Sequence, residues 1–200
     1  MTIVHEAFRG ADGSAGVLLR ADSASGTRFL TCFVEPGDTL YRVAIRVVHP
    51  GRPDQWTSLE MADHVGGTIA TLGAREVAPG SIPSYADILV VEDLVAAGQD
   101  GYEWNRLDES TLGTLHAALR RGEEGEVDGL DGAPIAATPY VLELEGQATY
   151  SFWVADGQVV VSDWAGAFSY RVADLDAALE GSSKDVATHA EAWVRGPGSR

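Results

Sequence analysis

The chain has 200 residues, with 30 acidic side chains against 14 basic ones and a formal net charge of −16. This length predicts a single compact domain over residues 1–200. A hydrophobic content of 45% is enough for a sizeable core and excludes wholesale disorder. The acidic excess repels phosphates and anionic lipid headgroups, so we expect neither nucleic acid nor a membrane as a partner.

The cysteine, histidine and terminal patterns narrow the class further. Cys32 is the one cysteine of the chain, which excludes an intramolecular disulfide. The residues that follow Met1 lack the basic and apolar regions of a signal peptide, and no run reaches the roughly 18 apolar residues of a membrane span. The five histidines are dispersed, so we predict no metal site and no cofactor. Together these observations predict a soluble cytoplasmic protein.

The first predicted strand covers residues 17–21, and a hairpin follows over 28–35 and 38–48. The pair Pro36-Gly37 between its strands suits the central positions of a type II turn. Both faces of this hairpin carry large apolar side chains, so we expect both faces to be covered.

A second hairpin is predicted over residues 150–155 and 158–164. Asp156-Gly157 between its strands is the strongest short-range indication of a hairpin. Residues 140–145 alternate in polarity and predict a further strand just before it.

The two turns also predict strand registers. A two-residue turn at Pro36-Gly37 places Cys32 opposite Tyr41. The Asp156-Gly157 turn places Trp153 opposite Val160 in the same way.

Three helices are predicted. The first covers residues 108–121, with Asp108 as its N-cap, a stripe of leucines and Gly122 at its end. The second covers residues 173–180. The third begins at Ser183 and ends at Gly196.

Two stretches stay ambiguous. Residues 57–73 contain a capping box interrupted by two glycines. Residues 84–98 fit either a helix or a buried strand followed by a helix, because periodicity does not separate these two structures.

These elements predict an α+β fold: an antiparallel sheet built from two β-hairpins and an extra strand, covered by three to five helices. The order of strand, hairpin and helix occurs twice, which suggests a weak internal duplication with halves near 14–98 and 135–195. Residues 196–200 are predicted to form a flexible tail.

The densest acidic cluster lies between Gly122 and Gly132. Residues 99–145 contain eleven acidic and three basic side chains, which is half of the net charge. The alternate acids resemble part of a calcium loop, but Ile135 stands where the bidentate glutamate is required. A solvated acidic loop, or a docking surface for a basic partner, fits the pattern better. Its carboxylates are Glu123, Glu124, Glu126, Asp128 and Asp131.

Trp104 is the best candidate for an exposed aromatic anchor, because aromatic and polar residues alternate from Tyr102 to Arg106 in a predicted loop. The alternative is that Trp104 covers the core above the helix predicted to follow it. Cys32, in the middle of a strand, is interpreted as a small core residue.

No catalytic motif is present, so we expect a non-enzymatic acidic binding protein, an inhibitor or immunity-type protein that neutralises a basic protein partner. Its predicted binding residues are Trp104 and the five carboxylates of the acidic cluster. One alternative is a hydrolase that uses carboxylate acid/base chemistry. Another is a homo-oligomer or a structural subunit of a larger assembly, which would bury Phe29, Phe33 and Leu40.

Overall fold

One large sheet runs through most of the chain. The computed structural model describes residues 2–35, 37, 39–49, 55–63, 69–73, 79–108, 111 and 113–196, with the backbone alone at 60–63 and 69–73. The strands are β1 Thr2–Arg9, β2 Ala15–Ser23, β3 Gly26–Glu35, β4 Thr39–Val48, β5 Ser58–Asp63, β6 Ile69–Gly73, β7 Ser81–Pro83, β8 Gly101–Leu107, β9 Thr114–Arg121, β10 Gly125–Asp128, β11 Pro134–Leu144, β12 Gln147–Ala155, β13 Gln158–Trp164 and β14 Ala167–Val172.

The sheet consists of two meanders that meet at its centre. Its strand order is β6-β5-β4-β3-β2-β1-β14-β13-β12-β11-β9-β8-β7, with β10 paired to β11 beside β9. The two meanders join where β1 pairs antiparallel with β14, with His5 opposite Val172. The pairing of β7 with β8 is parallel. Strands from the two ends of the chain therefore lie side by side in the middle of the sheet.

Three helices accompany the sheet in the described residues: α1 Asp87–Ala97, α2 Leu175–Leu179 and α3 Lys184–Arg195. The Asp174 side chain caps α2 by accepting a hydrogen bond from the Ala177 amide, and Ser183 caps α3 in the same way through Val186. The predictions for 173–180 and for the helix after Ser183 are confirmed. None of the described helices is long and apolar enough to cross a membrane.

The sheet curls around α1. Residues of α1 share one buried apolar cluster with strands from both ends of the sheet, including Leu59 of β5 and Leu107 of β8. The Trp56 indole, just before β5, donates a 2.6 Å hydrogen bond to the backbone oxygen of Ser81 in β7. This bond links the β5 region at one end of the sheet to β7 at the other, so α1 lies on the concave face.

Helices α2 and α3 cover the convex face of β2 and β3. There a second, smaller cluster joins Val17 and Cys32 of the strands to Val186 and Ala190 of α3. Alternation along each strand directs every other side chain to each face, so β3 and β4 contribute to both clusters. The prediction that both faces of the first hairpin are covered is confirmed.

The α+β prediction, with three to five helices covering a two-hairpin sheet, is wrong. Strands account for most of the described chain, and only three short helices accompany them. Part of the error is β1, because no strand or helix was predicted for residues 2–9.

A further error is the helix predicted over residues 108–121. Residues Thr114–Arg121 form β9, which is hydrogen-bonded between β8 and β11. Ala, Leu and Arg favour helices, but this preference is weak compared with two complete strand pairings. Asp108 caps no helix: its side chain accepts a hydrogen bond from the Thr111 amide in the loop before β9.

The register predicted for the first hairpin is shifted by one residue. Glu35 pairs with Thr39, so three residues connect the strands, and Cys32 lies opposite Arg42, not Tyr41. Gly37 of the predicted turn has a positive φ of 95°, while Pro36 lies outside the described residues. Because a shift of one residue exchanges the faces, Tyr41 lies on the concave side.

The second hairpin turns at Asp156-Gly157 as predicted, with φ values of 50° and 75°. Ala155 pairs with Gln158 next to the turn. An irregularity between Trp153 and Val154 then shifts the register, so Trp153 lies opposite Val161 and not Val160. The strand predicted at 140–145 is part of β11.

The two ambiguous stretches are resolved differently. Residues 84–98 are helical, with a 3₁₀ turn at Ser84–Ala86 followed by α1. Residues 57–73 contain β5 and β6, with 64–68 outside the described residues. The predicted tail lies outside them beyond residue 196. The single domain and the internal duplication stay predictions.

Candidate ligand-binding cavity

A cavity of about 650 Å³ opens on the concave face beside α1. Its walls come from β1 to β4, from the N-terminal part of α1, and from β8, β12 and β13. Most of the lining side chains are apolar and many are aromatic: Phe8, Leu18, Phe29, Phe33, Tyr41, Val43, Tyr85, Ile88, Tyr150 and Trp164. A cavity of this size and lining fits an organic molecule of moderate size.

A row of stacked aromatic rings forms one wall. Phe33 stacks on Phe8 and on Tyr41, with ring centroids 4.7 Å apart in both pairs. These residues belong to β1, β3 and β4, and the β2 residue between Phe8 and Phe33 is Gly16. A Cβ at Gly16 would lie 2.4 Å from the Phe33 Cβ and 2.3 Å from the Cys32 oxygen. The missing side chain therefore lets the rings stack across β2.

Further rings line the opposite side. Tyr85, just before α1, contacts Phe29 with centroids 6.0 Å apart. Trp164 contacts Tyr150 at 5.6 Å and meets Phe152 edge-on at 5.3 Å. Rings in such geometries add stabilisation beyond the area they bury, so the walls are held in place by one another.

Two buried arginines tie α1 to different parts of the sheet. Arg20 of β2 binds Glu92 through Nη2 at 2.9 Å and Asp22 through Nε at 3.0 Å. Arg106 of β8 binds Asp87, the first residue of α1, through Nε at 2.8 Å. Both arginines are among the residues that line the cavity. Burial of these charges is tolerated because each has a carboxylate partner.

A polar chain runs behind the wall between β1, β14 and β13. The Trp164 indole donates to the Ser169 hydroxyl at 3.1 Å, and this hydroxyl donates to Glu6 at 2.5 Å. Burial raises the pKa of Glu6, and the Ser169 hydrogen bond and the charge of Arg20 oppose that rise. Glu6 also lines the cavity, so the cavity wall includes a carboxyl group whose pKa is raised by burial.

Trp104 does not fulfil its predicted role as an exposed anchor. It is 6% exposed and belongs to the cluster around α1, so the alternative interpretation as a core residue is confirmed. The helix it was expected to cover is the strand β9. Tyr102 stacks on it at 5.7 Å and is the exposed aromatic residue of this segment.

The five predicted carboxylates lie together on what we name the acidic arm, residues 122–137. The arm is a hairpin of β10 and the first residues of β11, with Asp128 opposite Pro134. Glu123, Glu124, Glu126, Asp128 and Asp131 are all exposed. The alternate acids Glu126 and Asp128 belong to a strand, so they form a row on one face and not the first half of a calcium loop.

A second hollow of about 710 Å³ lies between the acidic arm and the C-terminal end of α1. Glu124, Asp100 and Asp156 contribute carboxylates to its lining, and Arg121 contributes a guanidinium that binds Asp100 at 3.4 Å. The C-terminal end of a helix carries partial negative charge. This hollow is therefore a negative site on the surface.

Cys32 is a core residue, as predicted. It is fully buried on the convex face, and burial raises the pKa of its thiol to about 11. Within the described part of the chain no group of three or more His, Cys, Asp or Glu side chains is arranged to hold a metal ion.

Sequence reasoning missed the cavity residues that carry charge: Glu6, Arg20 and Arg106. They come from β1, β2 and β8 and form no sequence motif. The one available indication was an arginine between apolar neighbours in a predicted strand, at Arg20.

No protein-family model matches the chain, and no curated protein matches it by sequence. Among solved structures, the chain is similar to a β-barrel-like protein of domain of unknown function DUF1849 from Brucella abortus. The two share 12% sequence identity with a TM-score of 0.50, over 85% of this chain and 96% of that one. At this identity the likeness shows the fold alone. It agrees with the curled sheet and contradicts the α+β prediction.

Proposed function

We propose that this chain is a non-enzymatic binding protein that holds a small, largely apolar molecule in its cavity. The observation that carries the proposal is the cavity of about 650 Å³ with aromatic walls and a few charged groups. Ligand sites are concave and mostly apolar, with a small number of polar groups that orient the ligand. Burial of an apolar body against these rings supplies the affinity.

The experiment is a fluorescence titration with N-phenyl-1-naphthylamine, an uncharged probe that brightens in apolar surroundings. We expect saturable binding of one probe per chain. Trp164 in the wall should be quenched as the probe fills the cavity.

A matched pair of tryptophan variants locates the probe. Thr31→Trp fills the cavity from the wall of β3, whereas Thr114→Trp adds the same ring at an exposed position on β9. We expect Thr31→Trp to weaken probe binding by about tenfold or more and Thr114→Trp to leave it unchanged. Absence of saturable binding, or equal binding by both variants, contradicts the proposal. Circular dichroism verifies that both variants fold.

A second candidate function is docking to a basic protein partner through the acidic arm. The observation in its favour is that all five predicted carboxylates are exposed on one hairpin, beside a hollow with two further carboxylates. Acidic surfaces of this kind speed association with cationic partners and lose effect at high salt. The narrower idea of an inhibitor or immunity-type protein stays a prediction, as does the hydrolase.

A charge-matched pair of variants tests the acidic arm. One replaces its five carboxylates with amides; the other replaces five exposed carboxylates away from the arm and the hollow, at Glu35, Asp176, Glu180, Asp185 and Glu191. Both variants have the same net charge. In a pull-down from native lysate, the parent and the second variant should retain a basic protein that the arm variant and high salt release. Equal retention by both variants counts against the arm.

The three residues predicted to support assembly do not share a surface. Phe29 packs around α1 and Phe33 lies in the aromatic row, while Leu40 packs beneath α3 on the other face. A homo-oligomer or larger assembly therefore has no support from these residues and stays a prediction.

We also infer a soluble, cytoplasmic location. The support is a buried free thiol in a chain that has no second cysteine, which suits a reducing compartment. Fractionation of source cells should recover the protein with cytosolic markers, and recovery with membranes or secreted material would reject this location.

A further inference from the structure

The hollow between the acidic arm and the C-terminal end of α1 combines exposed carboxylates with a buried interior. Glu124, Asp100 and Asp156 are exposed and come from three separate segments of the chain. Tyr140 of β11 and Val154 of β12 line the same hollow and are only 5% and 8% exposed. A side chain that enters the hollow from solvent therefore passes carboxylates and reaches a tyrosine.

The Tyr140 hydroxyl is a polar group that lacks a protein partner. Its residue is more than nine-tenths buried, yet this hydroxyl forms no hydrogen bond with any of the described residues. The hydroxyl oxygen is not sealed from the hollow, since it keeps accessible surface. Polar groups in buried side chains nearly always have a hydrogen-bond partner. A donor on a bound molecule would supply that partner.

The charges that line the hollow decide the sign of such a molecule. Three carboxylates face one guanidinium, that of Arg121, which binds Asp100 at 3.4 Å. Glu124 and Asp156 have no ion pair within the part of the chain that the structure describes. The carbonyl end of α1 adds partial negative charge. A cation is therefore attracted to the hollow and an anion is repelled.

The arrangement of acceptors favours a guanidinium over an ammonium. The Tyr140 oxygen and the carboxylates of Glu124 and Asp156 belong to different elements, so they offer acceptors at several positions. A guanidinium has five donors in a planar fork and is weakly hydrated, whereas an ammonium is a compact, strongly hydrated charge. The aliphatic stem of an arginine would also pack on Val95 and Val154.

We propose that the hollow is a pocket for an arginine side chain of a basic protein partner. This inference rests on the second candidate function, docking through the acidic arm, and names the group of the partner that the chain recognises. The exposed carboxylates attract the guanidinium, and the Tyr140 hydroxyl accepts a hydrogen bond from it.

The test is fluorescence anisotropy with two labelled peptides of equal charge, hexa-arginine and hexa-lysine, at low salt. We expect hexa-arginine to bind about fivefold or more tightly than hexa-lysine, because only the guanidinium reaches several acceptors at once. Equal binding of the two peptides, or tighter binding of hexa-lysine, overturns the assignment to arginine.

A charge-matched pair of double variants locates the peptide. Asp100→Asn with Asp156→Asn removes two carboxylates from the hollow. Glu126→Gln with Asp128→Asn removes two exposed carboxylates of the acidic arm that do not line the hollow. We expect the first pair to weaken hexa-arginine binding by about tenfold and the second pair by about twofold or less. Equal losses would place the peptide on the arm and not in the hollow.

A tyrosine pair tests the hydroxyl. Tyr140→Phe keeps the buried ring and removes only the oxygen, so it should weaken hexa-arginine binding about threefold or more, because the guanidinium loses an acceptor. Tyr102→Phe makes the same change at an exposed tyrosine and should leave binding constant. Circular dichroism verifies that both variants fold. If Tyr140→Phe binds hexa-arginine as tightly as the parent, the hydroxyl takes no part in recognition.

The outcomes separate this inference from the docking function beneath it. The pull-down with the five-carboxylate arm variant decides whether a basic partner docks on the arm. If that partner is released by the arm variant but hexa-arginine ignores the loss of Asp100 and Asp156, docking stands and the arginine pocket fails. If hexa-arginine does not bind the parent protein, the pocket fails whatever the pull-down shows.

Discussion

The two faces of β2 and β3 differ in packing: the convex face is close-packed against helices, whereas the concave face lines a cavity. On the convex face, the side chains beneath α2 and α3 are small or aliphatic and fully buried, and the helices contribute Ala178 and Ala190 to the contact. On the concave face, the same strands carry Arg20 and the rings of Phe29 and Phe33 around a cavity, and Phe33 is only half-buried. Small residues allow α2 and α3 to approach the sheet closely. On the concave face, the single helix α1 does not fill the curled sheet, so a cavity is left.

The difference between the two faces is what the proposed binding function predicts. On the convex face, close packing buries the apolar side chains and makes the Cys32 thiol unreactive. The concave face instead retains buried ion pairs that a purely structural core does not need, since apolar replacements of buried pairs are often neutral or stabilising. Functional sites are expected to depart from local rules of stability in this way.

The largest expected effect comes from breaking the Arg106–Asp87 pair. Arg106→Met removes the guanidinium that binds the carboxylate of Asp87 at 2.8 Å, and this carboxylate is 1% exposed. Loss of one partner of a buried pair typically costs about 3–5 kcal/mol. Urea unfolding measures the change, and Arg121→Met, which removes an exposed pair with Asp100, should change stability by less than about 1 kcal/mol. If both variants lose the same stability, the Arg106–Asp87 pair contributes no more than an exposed ion pair.

Gly16→Ala should be next in size, because the new Cβ would lie within 2.4 Å of backbone and side-chain atoms in β3. Overpacking of this kind costs about 1–3 kcal/mol. It should also disturb the aromatic row and weaken binding of the naphthylamine probe. Gly125→Ala is the control, since its Cβ would approach only Trp153, at 4.0 Å. Thermal unfolding of both variants measures the loss of stability, and probe titration measures the loss of binding.

Ser183→Ala tests the convex layer alone. The change removes the side chain that caps α3, which should lower the free energy of unfolding by about 1 kcal/mol. Because α3 packs on the face away from the cavity, probe affinity should stay constant. Thr188→Ala, an exposed residue of the same helix, should change neither quantity. A loss of probe binding in Ser183→Ala would show that the two faces are coupled.

The smallest expected effect concerns Cys32. With a native pKa of about 11 against 9.0 for a free thiol, it should not react with Ellman's reagent at pH 8 until urea unfolds the chain. The stabilisation from its neutral thiol is complete below pH 9 and declines as pH rises toward 11. Rapid reaction of the native protein would contradict close packing of the convex face.

Local features of the fold were predictable from the sequence. The Asp156-Gly157 turn and the start of a helix at Ser183 depend on neighbours in the chain, and the structure places them as predicted. Each depends on a short-range requirement, such as a positive φ or an unpaired helix amide.

Long-range features were not predictable in this way. The residues of β9 favour a helix by themselves, and only pairing with β8 and β11 makes them a strand. A single extra residue in the first turn exchanged the face of Tyr41. The cavity combines side chains from β1, β8 and α1, so no spacing in the sequence marks it. Its carboxylates and arginines became a site only when the sheet curled.

The pairing of β1 with β14 has a consequence for how the chain is made. During synthesis, the first meander, β1 to β6, can form early, but β1 keeps one open edge until residues 167–172 leave the ribosome. Contacts between residues so far apart in sequence slow folding. The open edge of β1 is therefore an exposed strand edge until β14 has been made, and a chaperone that binds extended peptides would be most useful at residues 2–9.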